Sequence, residues 1–234
     1  MSLKKIYLII LLLFFSSNIH AFSPYTATYD LYADTPMGDY KIGIAKFSLE
    51  TNDINYIYSS SASTSSIWSA LYKFSRQEKS IGTYIYNELV SRSYSIVENV
   101  GDNDEKNINI DFVPEKNYAT YNNKKKWKIT PGTLVDELSV YLALSQDVKN
   151  NPSHAEFTYQ VALEDKVKFQ TFIVEGNEVI TINNEEINTT LVNCPDLDLT
   201  LNLSQELEFL PVLINKINKK NTFRMVLQSF EFSS

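Results

Sequence analysis

Alternation with a period of two runs through this chain from residue 25 almost to its end, and it constrains the fold more than any other feature. Tyr25, Ala27, Tyr29, Leu31 and Ala33 fall on one face, with Thr26, Thr28, Asp30 and Tyr32 on the other. Successive side chains of a strand point to opposite faces, so this pattern predicts half-buried β-structure. Thr35-Pro36-Met37-Gly38 reads as a turn. A second strand follows over Tyr40 to Leu49, with Ile42, Ile44 and Phe47 as core candidates. Asn52-Asp53 then turns the chain into a strand over Ile54 to Thr64. Further strands are predicted near 81–98, 107–113, 117–129, 154–165, 167–175, 178–183, 186–193, 196–203, 207–217 and 222–232. The pairs Asn122-Asn123, Gly176-Asn177 and Asn183-Asn184 suit tight hairpins, because Asn and Gly tolerate the left-handed backbone that such turns need.

Two segments break the rhythm. Ser65 to Lys73 places Trp68, Leu71 and Tyr72 at helical spacing, and the serines before it (Ser59 to Ser66) read as a polar strand end plus a cap. Leu134 to Gln146 follows the Pro131-Gly132 turn. Thr133 with Asp136 matches a capping box, and Leu134, Leu138, Tyr141, Leu142 and Ser145 share one face. Pro152 stops any continuation. No Gly/Ser-rich or Pro-rich linker divides the chain. The expectation is a mainly β single domain: a large curved antiparallel sheet or open barrel, with one or two short helices packed on it.

The amino terminus is of another kind. Lys4 and Lys5 precede an apolar run from Ile6 to Phe15, and SSNIHA ends on the small residue Ala21. This is the pattern of a cleavable secretory signal peptide over residues 1–21, leaving a β-rich domain over 22–234. The apolar run spans about 15 Å as a helix, half of a bilayer core, so no permanent membrane span is expected after cleavage. No Cys stands near the cleavage region, so the chain is not expected to be a lipoprotein. The expected location is the periplasm. Removing Lys4 and Lys5 lowers the basic count from 21 to 19 against 28 acidic residues, so the net charge deepens from −7 to −9. A chain of that sign has no general attraction for phosphate backbones, and nucleic-acid partners are not expected.

Chemistry-bearing side chains are scarce. The chain has one Cys and two His, of which His20 leaves with the signal. A zinc site draws on three or four N, S or O ligands, so neither a metal nor another cofactor is expected. His154, after Pro152-Ser153, reads as an exposed or locally bonded loop residue. Cys194, after Leu191-Val192-Asn193, reads as a buried passive thiol. Asp102, Asp104 and Glu105 lack the glycine of a calcium loop and read as a solvated turn. Lys124-Lys125-Lys126 before Trp127 reads as a charged sheet edge that discourages strand addition, with contact to anionic lipid head groups as the lesser reading. No nucleophile elbow, phosphate loop or dinucleotide glycine signature occurs.

Several segments together resemble a known family. Tyr25-Thr26-Ala27-Thr28-Tyr29-Asp30-Leu31, then Gly43, then Ser80-Ile81-Gly82, open the likeness. Val135-Asp136-Glu137-Leu138-Ser139-Val140-Tyr141 looks like an Asp-Pro-Leu-Ser helix entry, with Glu137 where Pro is usual. Phe209-Leu210-Pro211-Val212 looks like its Leu-Pro-Val strand. In order and spacing these segments resemble the bacterial domain-of-unknown-function family numbered 3108, over roughly Ser23 to Phe232. The resemblance implies an exported β-rich protein of the Gram-negative cell envelope, and it supplies no catalytic residues.

Three functions follow as expectations. The first is a non-enzymatic binding or carrier protein that holds an apolar or lipid-like small molecule inside the curved sheet. Trp68, Leu71, Tyr72, Leu138, Tyr141 and Leu142 would then face the ligand or form its lid; the competing reading of all six is core packing. The second is a structural or protein-interaction module of the envelope with a filled core and an envelope protein partner. The third is an envelope hydrolase working through His154 or an acidic pair. An outer-membrane barrel is a weaker fourth, because Ser233-Ser234 and the helix within 134–146 do not suit one.

Overall fold

The computed structural model describes residues 22–35, 38–52, 54–69, 73–85, 88–102, 104–130, 133–218 and 221–233. The expected signal segment, Leu71, Tyr72 and the predicted turns at Pro36-Met37 and Pro131-Gly132 lie outside them. The strands are β1 (Tyr25–Thr35), β2 (Gly38–Asn52), β3 (Asn55–Thr64), β4 (Phe74–Ile85), β5 (Glu88–Val100), β6 (Asp104–Val113), β7 (Tyr118–Tyr121) and β8 (Lys125–Lys128). They continue as β9 (Leu134–Asp136), β10 (Glu156–Ala162), β11 (Val167–Ile182), β12 (Glu185–Cys194), β13 (Leu199–Ser204), β14 (Leu210–Asn218) and β15 (Asn221–Phe232). A single turn of helix, α1 (Ser66–Ser69), joins β3 to β4, and α2 (Val140–Asn150) lies between β9 and β10.

All fifteen strands belong to one sheet. Its order runs from β8 back to β1, crosses to β15, and runs back to β9. Every described pairing is antiparallel except β9 with β10. The first and last strands of the chain pair at the sheet's centre, with Tyr25 opposite Phe232 and Asp34 opposite Thr222. β9, at one end of the order, also lies against β5 near the other end, so the sheet curls into an open barrel. β8 is the exposed edge, and its lysines sit where the sequence places a charged edge.

The face predicted on β1 is the inner one: Tyr25, Ala27 and Tyr29 are buried. The hairpin turns also follow the sequence. Asn122 and Asn123 take φ of 47° and 54°, and Asn183 and Asn184 take 53° and 67°, the left-handed pair that matches a hairpin's twist. Three expectations are corrected. Gly176-Asn177 makes no hairpin; β11 runs through it, with a bulge between Val174 and Gly176 and φ of 137° at the glycine. A glycine inside a strand marks a bulge as readily as a turn. The expected strand over 81–98 is two strands, β4 and β5. Ile44 is 50% exposed rather than core, since the alternation puts Ala45 and Phe47 inward.

The helix expected over 134–146 is displaced. Leu134 to Asp136 form β9, and α2 starts at Val140. The expected cap is not formed: the N-cap Ser139 makes no side-chain cap hydrogen bond, and the fully buried Asp136 instead accepts through Oδ1 from the backbone N–H of Leu138 at 3.1 Å and of Ser139 at 2.8 Å, in the turn before the helix. Parallel pairing of Leu134 and Val135 with Gln160 and Val161 wins over the helical alternative there. The helix buries Val140, Leu142, Ala143, Leu144 and Val148 inside the curl.

Candidate functional site

Two polar features occupy the inner face, and alternation explains both. On β4 the inward side chains are Phe74, Arg76, Glu78 and Ser80, while Gln77, Lys79 and Ile81 point out; residues paired across strands share a face. The register sets Ala45, Ala62, Arg76, Glu98 and Lys106 in one inner row across β2 to β6.

The first feature is a sealed knot around Asp136. Ser80 Oγ and Ser91 Oγ donate to Asp136 Oδ2 at 2.6 and 2.8 Å. The Tyr56 hydroxyl lies 3.2 Å from each of those serines, and Ser139 Oγ lies 2.9 Å from Ser91 Oγ and accepts from the Asp136 N–H at 3.0 Å. Burial raises the Asp136 pKa, against the pull of the serine and backbone donors. Gly82 leaves the room for Tyr56: a Cβ there would stand 2.3 Å from Val90 O and 2.6 Å from the phenol oxygen. Ser80, Asp136 and Ser139 are 0% exposed, so this is a clasp between strands rather than a reactive centre.

The second feature is a cavity of about 590 Å³ on the same inner face. Ala45, Phe47, Ala62, Leu138, Tyr141 and Met225 are among its apolar walls. At one end Arg76 binds Glu98 and Glu164 at 2.7 Å each, Glu78 at 3.0 Å and Glu137 at 3.5 Å. Lys106, on the same inner row, bridges Glu164, the Tyr94 hydroxyl donates to Glu78, and Ser60 Oγ donates to Glu78 at 3.0 Å. Burial works against the Arg76 charge, but Glu78, Glu164 and Glu98 overcome it and hold the guanidinium protonated. Burial and the charges of Glu78 and Glu164 push the Glu137 carboxyl up to about 7, against the pull of Arg76 and Lys216.

The inner face continues beyond the cavity to an aromatic lip. Leu199, Lys216, Phe223, Ala33 and Tyr40 stand opposite one another across β13, β14, β15, β1 and β2, and the first two line the cavity. Phe223 is 40% exposed, and the Tyr40 ring meets Trp68 edge-on at 5.6 Å.

The residues singled out from sequence are thus distributed. Leu138 and Tyr141 line the cavity, and Trp68 stands half-buried at the lip. Leu142 faces a separate hollow of about 30 Å³ beside Phe22 and Tyr25, room for about one water. His154 is exposed in a loop, its ring 5.9 Å from Phe157. Cys194 is buried and burial raises its pKa. Among the described residues no group of three or more His, Cys, Asp or Glu is placed to hold a metal ion, and no helix is long and apolar enough to cross a membrane. Arg76, Glu78, Glu98 and Glu164 were not singled out from sequence, and Glu137 only as the residue standing where the resembling family has Pro. Their one signal is the inner parity of Arg76 and Glu78 on β4, which only the register reveals.

The fold has a solved counterpart. The crystal structure of a β-barrel-like protein of domain of unknown function DUF1849 from Brucella abortus matches with a TM-score of 0.63, over 91% of this chain and 98% of that one, at 10% sequence identity. No family model matches the chain, and no curated protein matches it. The likeness concerns the fold: a large, open, barrel-like sheet shared with a bacterial domain of unknown function.

Proposed function

We propose that this chain is an exported, non-enzymatic binding or carrier protein that holds an apolar or lipid-like molecule in the cavity of its curved sheet. The cavity carries the proposal. Ligand sites run from about 300 to 1,000 Å³, mostly apolar with a few polar groups, and a space of about 590 Å³ with one charged end is of that kind. The lip of Tyr40, Trp68 and Phe223 sets aromatic rings on the inner face beside that space. The basic and apolar amino-terminal segment supports export to the periplasm, and the Tyr25 to Leu31, Asp136 to Ser139 and Leu210 to Val212 segments support membership of family 3108.

Native mass spectrometry of the protein purified from cells tests the reading. The expected result is a co-purifying apolar species that is lost in Ala45→Phe and Ala62→Phe, whose added rings fill the cavity from its wall. An empty protein that also takes up no apolar dye would overturn the carrier reading and favour an envelope module working through its outer surface.

A further inference from the structure

The charge balance at the polar end narrows what such a ligand can be, an inference that rests on the carrier reading. Arg76, Glu78, Glu98, Glu137 and Glu164 lie on the inner side, and one guanidinium faces four carboxylates. Two further cations approach from the rim, Lys106 on Glu164 and Lys216 in the cavity lining. Asp165 and Lys166, 3.7 Å apart, offset each other. The phenols of Tyr94 and Tyr141 are held neutral, both raised first by burial. Four carboxylates against Arg76, Lys106 and Lys216 leave one negative charge in excess. It falls on Glu137, which Arg76 holds at 3.5 Å while the other three carboxylates lie at 2.7 to 3.0 Å.

A ligand ending in carboxylate or phosphate would bring a further negative charge into a low-dielectric space where the half-buried Arg76 is already surrounded by carboxylates. A cation would cancel the excess. Tyr141, Phe47 and Phe74 line the same space, and aromatic faces attract organic cations.

We infer that the cavity selects amphiphiles whose polar end is an organic cation, an alkyl ammonium seated between Glu137 and the aromatic wall, over those ending in an anion. Three probes of equal chain length test this by isothermal titration below their micelle concentrations: dodecyltrimethylammonium, dodecanol and dodecanoate. At pH 8 the ammonium should bind about tenfold tighter than dodecanol, and dodecanoate weaker than both. Glu137→Gln should abolish the ammonium's advantage over dodecanol, with an unchanged circular dichroism spectrum reporting that the variant is folded. Moving from pH 8 to pH 5.5 should shrink the advantage in the wild type but not in the variant, as Glu137 takes up its proton. Dodecanoate binding as tightly as the ammonium, or an ammonium advantage that survives Glu137→Gln, would overturn the inference. Dodecanol binding with no preference would overturn it while leaving the carrier reading intact. Failure of all three probes would overturn both.

Discussion

Ser80 Oγ donates a 2.6 Å hydrogen bond to Asp136 Oδ2, joining β4 to a strand 56 residues further along the chain. That bond ties one end of the sheet order to the body of its other half, which keeps the sheet curled. The same carboxylate accepts from Ser91 and from two backbone N–H groups, so no lone pair is left without a donor.

Removing the acceptor should therefore be costly. Asp136→Ala leaves two hydroxyls and two N–H groups buried without it, at about 1–3 kcal/mol per unsatisfied group before relaxation. We expect a loss of roughly 3–5 kcal/mol in urea denaturation. A loss below about 1 kcal/mol would show that the clasp contributes little.

Gly82 is the steric counterpart of that clasp. Gly82→Ala places a methyl 2.3 Å from a backbone oxygen and 2.5 Å from the Tyr56 ring, so strand or ring must shift. Overpacking of this kind costs about 1–3 kcal/mol, measured as a lowered midpoint with unchanged slope. The β4–β5 register shifts between Ile81 and Gly82, and an unchanged midpoint would mean that this irregularity absorbs the methyl freely.

Glu137 gives stability a pH dependence whose sign follows from its raised pKa. The folded state holds this proton up to about 7, while the unfolded chain releases it near the ordinary value of 4.5. Stability from this group is thus fully present below 4.5 and declines as pH rises to about 7. Glu137→Gln should match the wild type at pH 4.5 and be more stable at pH 8, by roughly 1–3 kcal/mol. Denaturation at the two pH values checks it; equal gains at both would refute the assignment.

Cys194 is 1% exposed, and burial raises its pKa, so the thiolate is scarce and shielded. A disulfide reagent should label it only as fast as the protein opens, with a rate that stops rising at high reagent concentration. Rapid labelling of the native protein would contradict the burial.

Much of the fold was legible. Tyr25, Ala27 and Tyr29 read as one inner face because the strand period is fixed by covalent geometry, and Asn183-Asn184 read as a turn because few residue types tolerate its backbone. The segments that carry the family resemblance prove to be internal contacts: Tyr29 Oη donates to Pro211 O at 2.7 Å, and Ser80 to Asp136. Of the candidate site, the sequence pointed to Leu138 and Tyr141 in the cavity wall and to Trp68 at the lip. β4 has polar residues on both faces, so its alternation gives no sign of which face turns inward.

The sequence alone determined the strand rhythm, the hairpin turns on asparagine pairs and the scarcity of thiol and imidazole groups. These are local properties, set by backbone sterics and composition. Tertiary structure decided that Gly176 is a bulge, that Leu134 to Asp136 form a strand, and that Arg76 meets Glu98, Glu137 and Glu164 beside a cavity. Each depends on pairing between residues far apart in the chain. A register slip of one residue turns every side chain of a strand to the other face, and only the assembled sheet fixes that register.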